Sequence, residues 1–367
     1  MSSSIYTPET IAVLGSHSAL DVCYGAKKHG FKTIVIAEKG RELTYSRYYA
    51  TAQETGCVDE CIVVDRFAEV LSGSVQKQLL ARKAVFVPHR SFEVYTGFDY
   101  EAIEDRFPVP MFGNRFLLKI EERGVRPNQY DLLERAQIHY PQQFPDPRDI
   151  DRLCIVKVLE QERGFERAFF LVSSYEEYKE EIDRRLTTGV FTEELLNQAV
   201  IEEFVVGVHV NFNFFYSTIS GRLELLGTDT RRQTNLEGIM RTPVDYQEDL
   251  LKKISVQYEE AGHIAVTVLE SMLEPAFAMG ERFVQAALEM VKPGVIGPFA
   301  LQSIITAGPP KKEIVVVDVS PRMPGSPGTA ATPYSSYLFR RPVSVGERVA
   351  MEIRAGLTSD TLKKVIT

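Results

Sequence analysis

The chain has 367 residues, of which 44% are hydrophobic and 25% are charged, a composition typical of a globular protein with two or three domains. A formal net charge of −8 excludes broad binding of nucleic acid, because a phosphate backbone needs a basic face, although a local basic pocket for a small phosphorylated ligand is still allowed. No apolar run approaches the roughly 20 residues that a membrane-spanning helix needs.

The cellular compartment is predicted from two features. Residues 1–4 lack a basic region followed by an apolar one, so we expect no secretory signal. The cysteines are few and unevenly spaced, at Cys23, Cys57, Cys61 and Cys154, which fits a reducing compartment better than a disulfide framework. We therefore predict a cytoplasmic protein.

The clearest structural unit lies near the N-terminus. Residues 11–14 form a short apolar strand, residues 15–18 a turn whose hydroxyls suit helix capping, and residues 19–29 a helix ending at Gly30. Residues 33–37 form a second strand. This βαβ pattern predicts a parallel sheet covered by helices.

Further strands of that sheet are predicted at residues 61–65 and 84–88. The proline-rich segment 126–150, interrupted by a short helix near 130–137, indicates a linker into another domain. Beyond it, residues 153–158 and 168–172 are predicted strands joined by a charged connection.

The second half of the chain is predicted to mix helices with antiparallel strands. A charged helix spans residues 175–186, and a strand at 200–207 runs into a loop. Residues 208–216 alternate polar and apolar side chains, as expected for an antiparallel strand with one wetter face. An amphipathic helix is predicted at 275–290, and a last helix at 346–357.

Two polar turns follow predicted parallel strands. Residues 15–18 contain His17, and residues 89–91 contain His89 and Ser91. In open α/β sheets, ligands bind outside the carboxyl ends of strands, so the two His/Ser turns could jointly hold a phosphorylated sugar. The alternative is that the hydroxyls only cap helices and the histidines lie at the surface.

Three more candidates lie in the middle of the chain. Lys157 ends an apolar strand, and residues 202–207 combine two carboxylates with a hinge of backbone groups that could hold an adenine and its ribose. Asn235 lies in a basic loop that could meet a substrate phosphate. A solvent-facing lysine and a solvated hairpin tip are the alternatives.

The segment 314–322 is an apolar run that ends in an acid, a hydroxyl and a guanidinium. Alternation along a strand places Asp318 and Ser320 on one face, and Arg322 joins them if the strand continues through Pro321. Oxygen ligands and a cation on one face suit Mg²⁺ with nucleotide phosphates. The alternative is a core strand ending in a capped turn.

The order of these features resembles the ATP-grasp ligases. Five separated blocks are similar, more closely, to the archaeal formate-dependent aminoimidazole-carboxamide ribonucleotide synthetases of purine biosynthesis, the PurP family. These blocks are residues 14–18 (LGSHS), 87–92 (VPHRSF), 109–115 (VPMFGNR), 201–207 (IEEFVVG) and 296–303 (IGPFALQS). The resemblance extends from about residue 10 to the C-terminus.

The resemblance implies an ATP-grasp fold of mixed α/β and α+β class, in three parts. Residues 1–125 would form a Rossmann-like parallel α/β domain that binds the substrate. Residues 126–200 would form the small ATP-grasp subdomain with its lid, and residues 201–367 the C-terminal subdomain with the metal site.

The implied reaction joins formate to the 5-amino group of aminoimidazole-carboxamide ribonucleotide (AICAR), using ATP, and yields the formylated ribonucleotide FAICAR through formyl phosphate. The implied cofactors are ATP and Mg²⁺, with Mn²⁺ as an alternative metal. The implied partners are AICAR, formate and further copies of the chain in a trimer or hexamer, with no nucleic acid and no membrane. The implied roles are AICAR binding by His17, Ser91 and Asn235, ATP binding by Lys157 and Glu203, metal binding by Gln302 and Asp318, and a catalytic contact from Arg322 to the phosphates.

The chain departs from the family pattern in three places. The lid, usually glycine-rich, is residues 159–167 and contains one glycine and three glutamates, which would repel a triphosphate. Asp318 stands where glutamate is usual, and the turn after Arg322 is rich in proline. Two alternatives therefore accompany the ligase hypothesis: an ATP-grasp ligase with another substrate, and a catalytically weak AICAR-binding paralogue acting as a regulator or partner subunit.

Overall fold

The computed structural model describes residues 7–157, 169–187, 193, 196, 199–254, 256, 260–308 and 310–367. The predicted lid at 159–167 lies outside these residues. Three sheets follow one another along the chain, joined by helices and short 3-10 turns. The strands are β1 Thr10–Leu14, β2 Lys32–Glu38, β3 Glu60–Val64, β4 Ala84–Val87, β5 Cys154–Lys157, β6 Phe169–Val172, β7 Val200–Glu203, β8 Val208–Ser217, β9 Arg222–Gln233, β10 Glu260–Ala265, β11 Gly297–Ile305 and β12 Ile314–Ser320.

The described helices are mostly short, apart from two long ones in the C-terminal half. They are α1 Ala19–Lys28, α2 Gly73–Ala81, α3 Arg90–Tyr95, α4 Tyr100–Asp105, α5 Gln129–Arg135, α6 Tyr175–Thr187, α7 Leu236–Met240, α8 Val244–Leu251, α9 Leu273–Met290, α10 Tyr334–Phe339 and α11 Val345–Thr358. No helix among the described residues is long and apolar enough to cross a membrane.

The first sheet confirms the predicted βαβ unit. Its four strands are parallel in the order β3-β2-β1-β4, so β1 and β4 are neighbours. The apolar residues of β1, β2 and β4 are almost completely buried, as expected when both faces of a parallel sheet are covered. The carboxyl ends of β1 and β4, each followed by a His/Ser turn, therefore meet at one edge.

The small second sheet is antiparallel, in the order β6-β5-β7. Strand β7 ends at Glu203, so the predicted strand over residues 200–207 is shorter, and its last four residues form a loop. Because β7 pairs with β5, it completes the small sheet rather than the sheet that follows it.

The third sheet is also antiparallel, in the order β10-β9-β8-β11-β12, and its two faces differ. The alternation predicted for β8 is confirmed: Phe212 and Phe214 pack with Phe283 of α9 in a buried core. Asn211 and Asn213 point to the opposite face, which is polar. This polar face turns towards the first domain and forms one wall of the candidate site.

Candidate active site

The two His/Ser turns meet, as their sequence positions predict. The hydroxyl of Ser91 donates to that of Ser16 at 3.0 Å, and the rings of His17 and His89 lie 5.6 Å apart, centroid to centroid. Ser18 does not cap α1, because its hydroxyl donates to the carbonyl of Pro324 at 2.6 Å instead. The turns thus form one pocket floor.

Both histidines are electrically neutral at pH 7. Burial, together with the charge of Arg322, lowers the pKa of His89 to about 4, although a hydrogen bond from Nε2 to the carbonyl of Leu14 at 2.9 Å opposes the shift. His17 keeps its ring accessible to solvent, yet dense protein surroundings, then His89 and Arg322, lower its pKa as well. The Nδ1 atom of His89 is buried without a hydrogen-bond partner among the described residues. A neutral ring nitrogen of this kind can accept a hydrogen bond but has no proton to donate.

A chain of polar contacts crosses from the small sheet to the third sheet. Lys157 Nζ lies 2.6 Å from Glu202 Oε2, and the other oxygen of Glu202 accepts from the hydroxyl of Tyr130. That hydroxyl accepts from Arg123 Nε at 3.1 Å, and Arg123 Nη2 lies 2.9 Å from Asp318 Oδ1. Lys157, Arg123 and Asp318 each expose about one fifth of the side chain, so both ends of the chain of contacts are open to solvent. We call the space between the two His/Ser turns, the small sheet and the third sheet the crevice.

The carboxylate beside Lys157 belongs to Glu202, and the ATP-binding role of Glu203 stays a prediction. Glu202, rather than Glu203, contacts Lys157 and is completely buried. Alternation along β7 points Glu203 to the other side of the strand, where its register partner is Cys154. Burial lowers the pKa of Lys157 despite the opposing charge of Glu202.

The two predicted metal ligands are direct partners across the strands β11 and β12. Gln302 pairs with Asp318 in register, and its amide donates to the hydroxyl of Ser320 at 3.1 Å. Burial would raise the pKa of Asp318, but the charges of Arg123 and then Arg231 hold it below its usual value. Asp318 therefore stays ionised.

This donor set fits a shared magnesium site better than a self-contained metal centre. Among the described residues, no group of three or more His, Cys, Asp or Glu side chains could hold a metal. Mg²⁺ is commonly bound by one or two carboxylates together with substrate phosphates, and Asp318 with the Gln302 oxygen offers that arrangement.

The position of Arg322 requires a correction. Strand β12 ends at Ser320, so Arg322 leaves the face that carries Asp318. Its guanidinium is buried, and Nη2 donates to both oxygens of Glu121, at 2.8 and 3.1 Å. Glu121 belongs to the 3-10 turn Arg115–Glu121, so Arg322 ties the third sheet to the first domain. The cations that lower the pKa of Asp318 most are Arg123 and then Arg231.

Sequence reasoning also missed a cluster on β9 and β10. The ring of His263 lies between two carboxylates, with Nδ1 2.5 Å from Asp229 and Nε2 2.7 Å from Glu260. Asp229 is buried and accepts from the amides of Asn211 and Asn213 at 2.9 and 2.6 Å. The alternating Asn residues of β8 were the available signal, since two amides on one face, of which that of Asn213 is buried, need a polar partner.

Asn235 lies at the far end of the same sheet. It follows β9 with a positive φ of 30° and immediately precedes the short helix α7. Nearby, Arg231 pairs with Glu260 at 3.2 Å. The loop is thus attached to the same wall of the crevice, but none of the hydrogen bonds described above joins Asn235 to His17 or Ser91.

The protein has a parallel α/β domain, followed by a small and a larger antiparallel sheet. This is the architecture of an ATP-grasp protein. Solved structures support this class: an ADP complex of N5-carboxyaminoimidazole ribonucleotide synthetase (purK) is similar with a TM-score of 0.57 and 13% identity, over 93% of this chain and 80% of that one. An IMP biosynthesis protein PurP from Thermococcus kodakaraensis is similar with a TM-score of 0.70 and 29% identity, over 97% of this chain and 100% of that one.

The sequence comparisons define the family. A protein of Methanothermobacter thermautotrophicus named 5-formaminoimidazole-4-carboxamide-1-(beta)-D-ribofuranosyl 5'-monophosphate synthetase is 39% identical, over 98% of this chain and 94% of its own. A protein of the same name from Methanopyrus kandleri is 40% identical, over 98% and 95%. Family models described as "Protein of unknown function (DUF1246)" and "Domain of unknown function (DUF1297)" match residues 11–144 and 177–367. The chain belongs to the family of these synthetases, as the resemblance of its five blocks predicted.

Proposed function

We propose that this protein catalyses the ATP-dependent formylation of AICAR to FAICAR in IMP biosynthesis, with formate as the one-carbon donor. The observation that carries the proposal is the meeting of two groups of residues at one crevice. The segment after Asp318 runs from the end of β12 to Met323, which pairs with His89 in an isolated β-bridge. The site that suits a metal nucleotide therefore adjoins the pocket floor that suits a ribonucleotide. Near-complete coverage of relatives named as the synthetase supports the same reaction.

The proposed chemistry has two steps. An oxygen of formate attacks the γ-phosphorus of ATP, the bond from that phosphorus to the bridging oxygen breaks, and ADP leaves with the electron pair. The 5-amino nitrogen of AICAR then attacks the formyl carbon, phosphate leaves, and the nitrogen loses a proton. Positioning and charge neutralisation supply most of the catalysis in phosphoryl transfer.

The residue roles are part of this proposal, and the geometry supports them. His17 and Ser91 line the pocket floor proposed for AICAR, and Asn235, on the loop after β9, is proposed to contact the same ligand. Lys157 offers a charge to the nucleotide, and Glu203 lies at the hinge proposed for its adenosine. Bound magnesium would neutralise phosphate charge, and Gln302 and Asp318 are the residues that would hold it. Arg322, which is held in place by its ion pair with Glu121, would act on the phosphates through its positive charge from a buried position.

The test is an assay of the purified chain with MgATP, formate and AICAR, in which FAICAR and ADP are measured together. We expect both products in equal amounts, and we expect AICAR alone to raise the melting temperature. Binding of AICAR without FAICAR or ADP would support the binding-only paralogue. A melting-temperature shift with a different metabolite and none with AICAR would exclude the proposed substrate.

The variant Asp318→Asn tests whether the proposed metal site and the proposed AICAR pocket have separate roles. Because it removes the ionised metal ligand, we expect turnover to fall by at least about 100-fold, while the shift with AICAR stays unchanged. Asp245→Asn, at an exposed position on α8, is the matched control and should behave like the wild type. Equal loss of AICAR binding and turnover in Asp318→Asn would contradict the separate roles.

A further inference from the structure

Arg123 occupies the position between the two ATP-grasp sheets. Its Nε atom donates to the hydroxyl of Tyr130, which is itself bound to the buried Glu202, while its Nη2 atom lies 2.9 Å from Asp318 Oδ1. One end of the guanidinium is therefore held by the small-sheet side, and the other end pairs with the proposed metal ligand.

The pairing with Asp318 creates a competition. A guanidinium and a divalent cation both seek the same carboxylate oxygen, and one carboxylate cannot fully neutralise both. When a metal nucleotide takes Asp318, the Nη end of Arg123 loses its partner. The Nε contact with Tyr130 can persist, so it acts as a pivot about which the Nη end moves.

The free hydrogen-bonding capacity of Arg123 points towards a ligand. Its Nη1 atom has no acceptor among the described residues, and about one fifth of the side chain is exposed in the crevice. A planar guanidinium with free N–H groups matches the oxygens of a phosphoryl group.

The neighbouring arginines are less suited to this contact. The Nη2 atom of Arg322 donates to both oxygens of Glu121, and only 6% of the side chain is exposed. Arg231 lies 3.2 Å from Glu260, a carboxylate that the proposed metal would leave in place. Arg123 is the described arginine whose partner is the carboxylate that the metal would take.

We propose that Arg123 is a further catalytic residue: it neutralises Asp318 in the nucleotide-free protein and, once the metal nucleotide binds Asp318, donates hydrogen bonds to the phosphoryl group in transfer. Arg123 forms and breaks no covalent bond in this step. The inference rests on the function proposed above, and it adds the residue that compensates the charge of the moving phosphoryl group.

The first experiment measures Mn²⁺ binding without nucleotide, from the electron paramagnetic resonance signal of free Mn²⁺. Since Arg123→Gln removes the competing cation, we expect it to bind Mn²⁺ about tenfold more tightly than the wild type, a factor typical of one modest charge interaction. Arg126→Gln is the matched control, because Arg126 is 69% exposed and pairs with Asp131 instead. Unchanged or weaker Mn²⁺ binding by Arg123→Gln would overturn the competition.

The second experiment measures steady-state kinetics. We expect kcat of Arg123→Gln to fall about 100- to 1,000-fold, the range for a lost transition-state hydrogen-bond donor, while KM for AICAR stays within about threefold. A kcat within threefold of the wild type would overturn the catalytic role.

Arg123→Lys guards against a folding defect, because it keeps the charge beside Asp318. We expect it to bind Mn²⁺ like the wild type and still to lose most of kcat, since an ammonium lacks the planar fork. Wild-type kcat in Arg123→Lys would show that only charge is needed and would contradict the proposed geometry. Failure of the function itself is a distinct result: the wild type forms no FAICAR, although the Mn²⁺ competition can still be measured.

Discussion

At the scale of single residues, the buried charges of the crevice are arranged as pairs and triads. His263 between Asp229 and Glu260 is the clearest case. Burial alone would lower the pKa of His263, but hydrogen bonds to Asp229 and Glu260 raise it to about 9. The ring of His263 is therefore a cation at pH 7, whereas His17 and His89 are neutral.

This difference predicts a pH dependence of stability. The folded-state pKa of His263 lies above its unfolded value of 6.5, so its contribution is complete below about pH 6.5 and is lost as the pH rises through about 9. We expect the free energy of unfolding, from denaturant titrations, to fall by about 3 kcal/mol over this window, at about 1.4 kcal/mol per pKa unit. His263→Asn should flatten that decline.

The control for this titration is His139→Asn, since His139 is exposed and its ring lies 3.5 Å from Glu313. It should retain the wild-type profile, because exposed ion pairs contribute little. A decline of the same size in His263→Asn as in the wild type would assign the pH dependence to another group.

At the scale of elements, the contact between α1 and α11 joins the two ends of the described chain. A Cβ atom at Gly25 would lie 2.4 Å from the backbone of Glu347, and one at Gly346 would lie 2.3 Å from the carbonyl of Asp21. The backbones of the two helices touch, and the carboxylate of Asp21 accepts from the N–H of Gly346 at 2.8 Å. No side chain fits between them.

We therefore predict that Gly25→Ala lowers the free energy of unfolding by about 3 kcal/mol, because a backbone cannot yield as a side-chain tip can. Gly73→Ala, at the first residue of α2, is the control: nothing lies within 4 Å of its Cβ position. It should change stability by less than about 0.5 kcal/mol. Chemical denaturation of both variants measures the difference, and equal stabilities would contradict the close helix contact.

At the scale of the whole molecule, the first core is shared by segments far apart in sequence. Ile11 and Val35 of the parallel sheet pack in one cluster with Phe215 of β8 and with Val349 and Ile353 of α11. By contrast, the small sheet has a core of its own, built from β5, β6 and β7 with neighbouring residues. The division of the chain into domains at residues 125 and 200 stays a prediction. The first hydrophobic core contains residues from both sides of residue 125.

A fragment experiment follows from this shared core. We expect residues 7–125 alone to lack a cooperative unfolding transition, because one face of the parallel sheet loses α11 and exposes its apolar residues. Circular dichroism during thermal unfolding measures this. Adding residues 201–367 in trans should restore the transition. A sharp transition in residues 7–125 alone would show that α11 is dispensable for the first domain.

The sequence by itself determined the local elements and the order of the motifs. The βαβ unit, the alternation of β8 and the placement of two His/Ser turns at one edge of the sheet follow from periodicity and from the rule that parallel strands end at one edge. The five matching blocks also sufficed to place the chain in its family. These features depend on neighbours in sequence or on a single sheet, so the linear pattern carries them.

Only the tertiary structure decided the partners of the long charged side chains. Alternation along β7 places Glu202 and Glu203 on opposite faces of the strand. It does not indicate which of the two carboxylates lies beside Lys157. The end of β12 at Ser320 sends Arg322 to Glu121, and Arg123, more than 190 residues before Asp318, takes the place beside that carboxylate. A long flexible side chain pairs with whichever charge packing brings within reach, and that packing joins segments whose separation in sequence gives no signal.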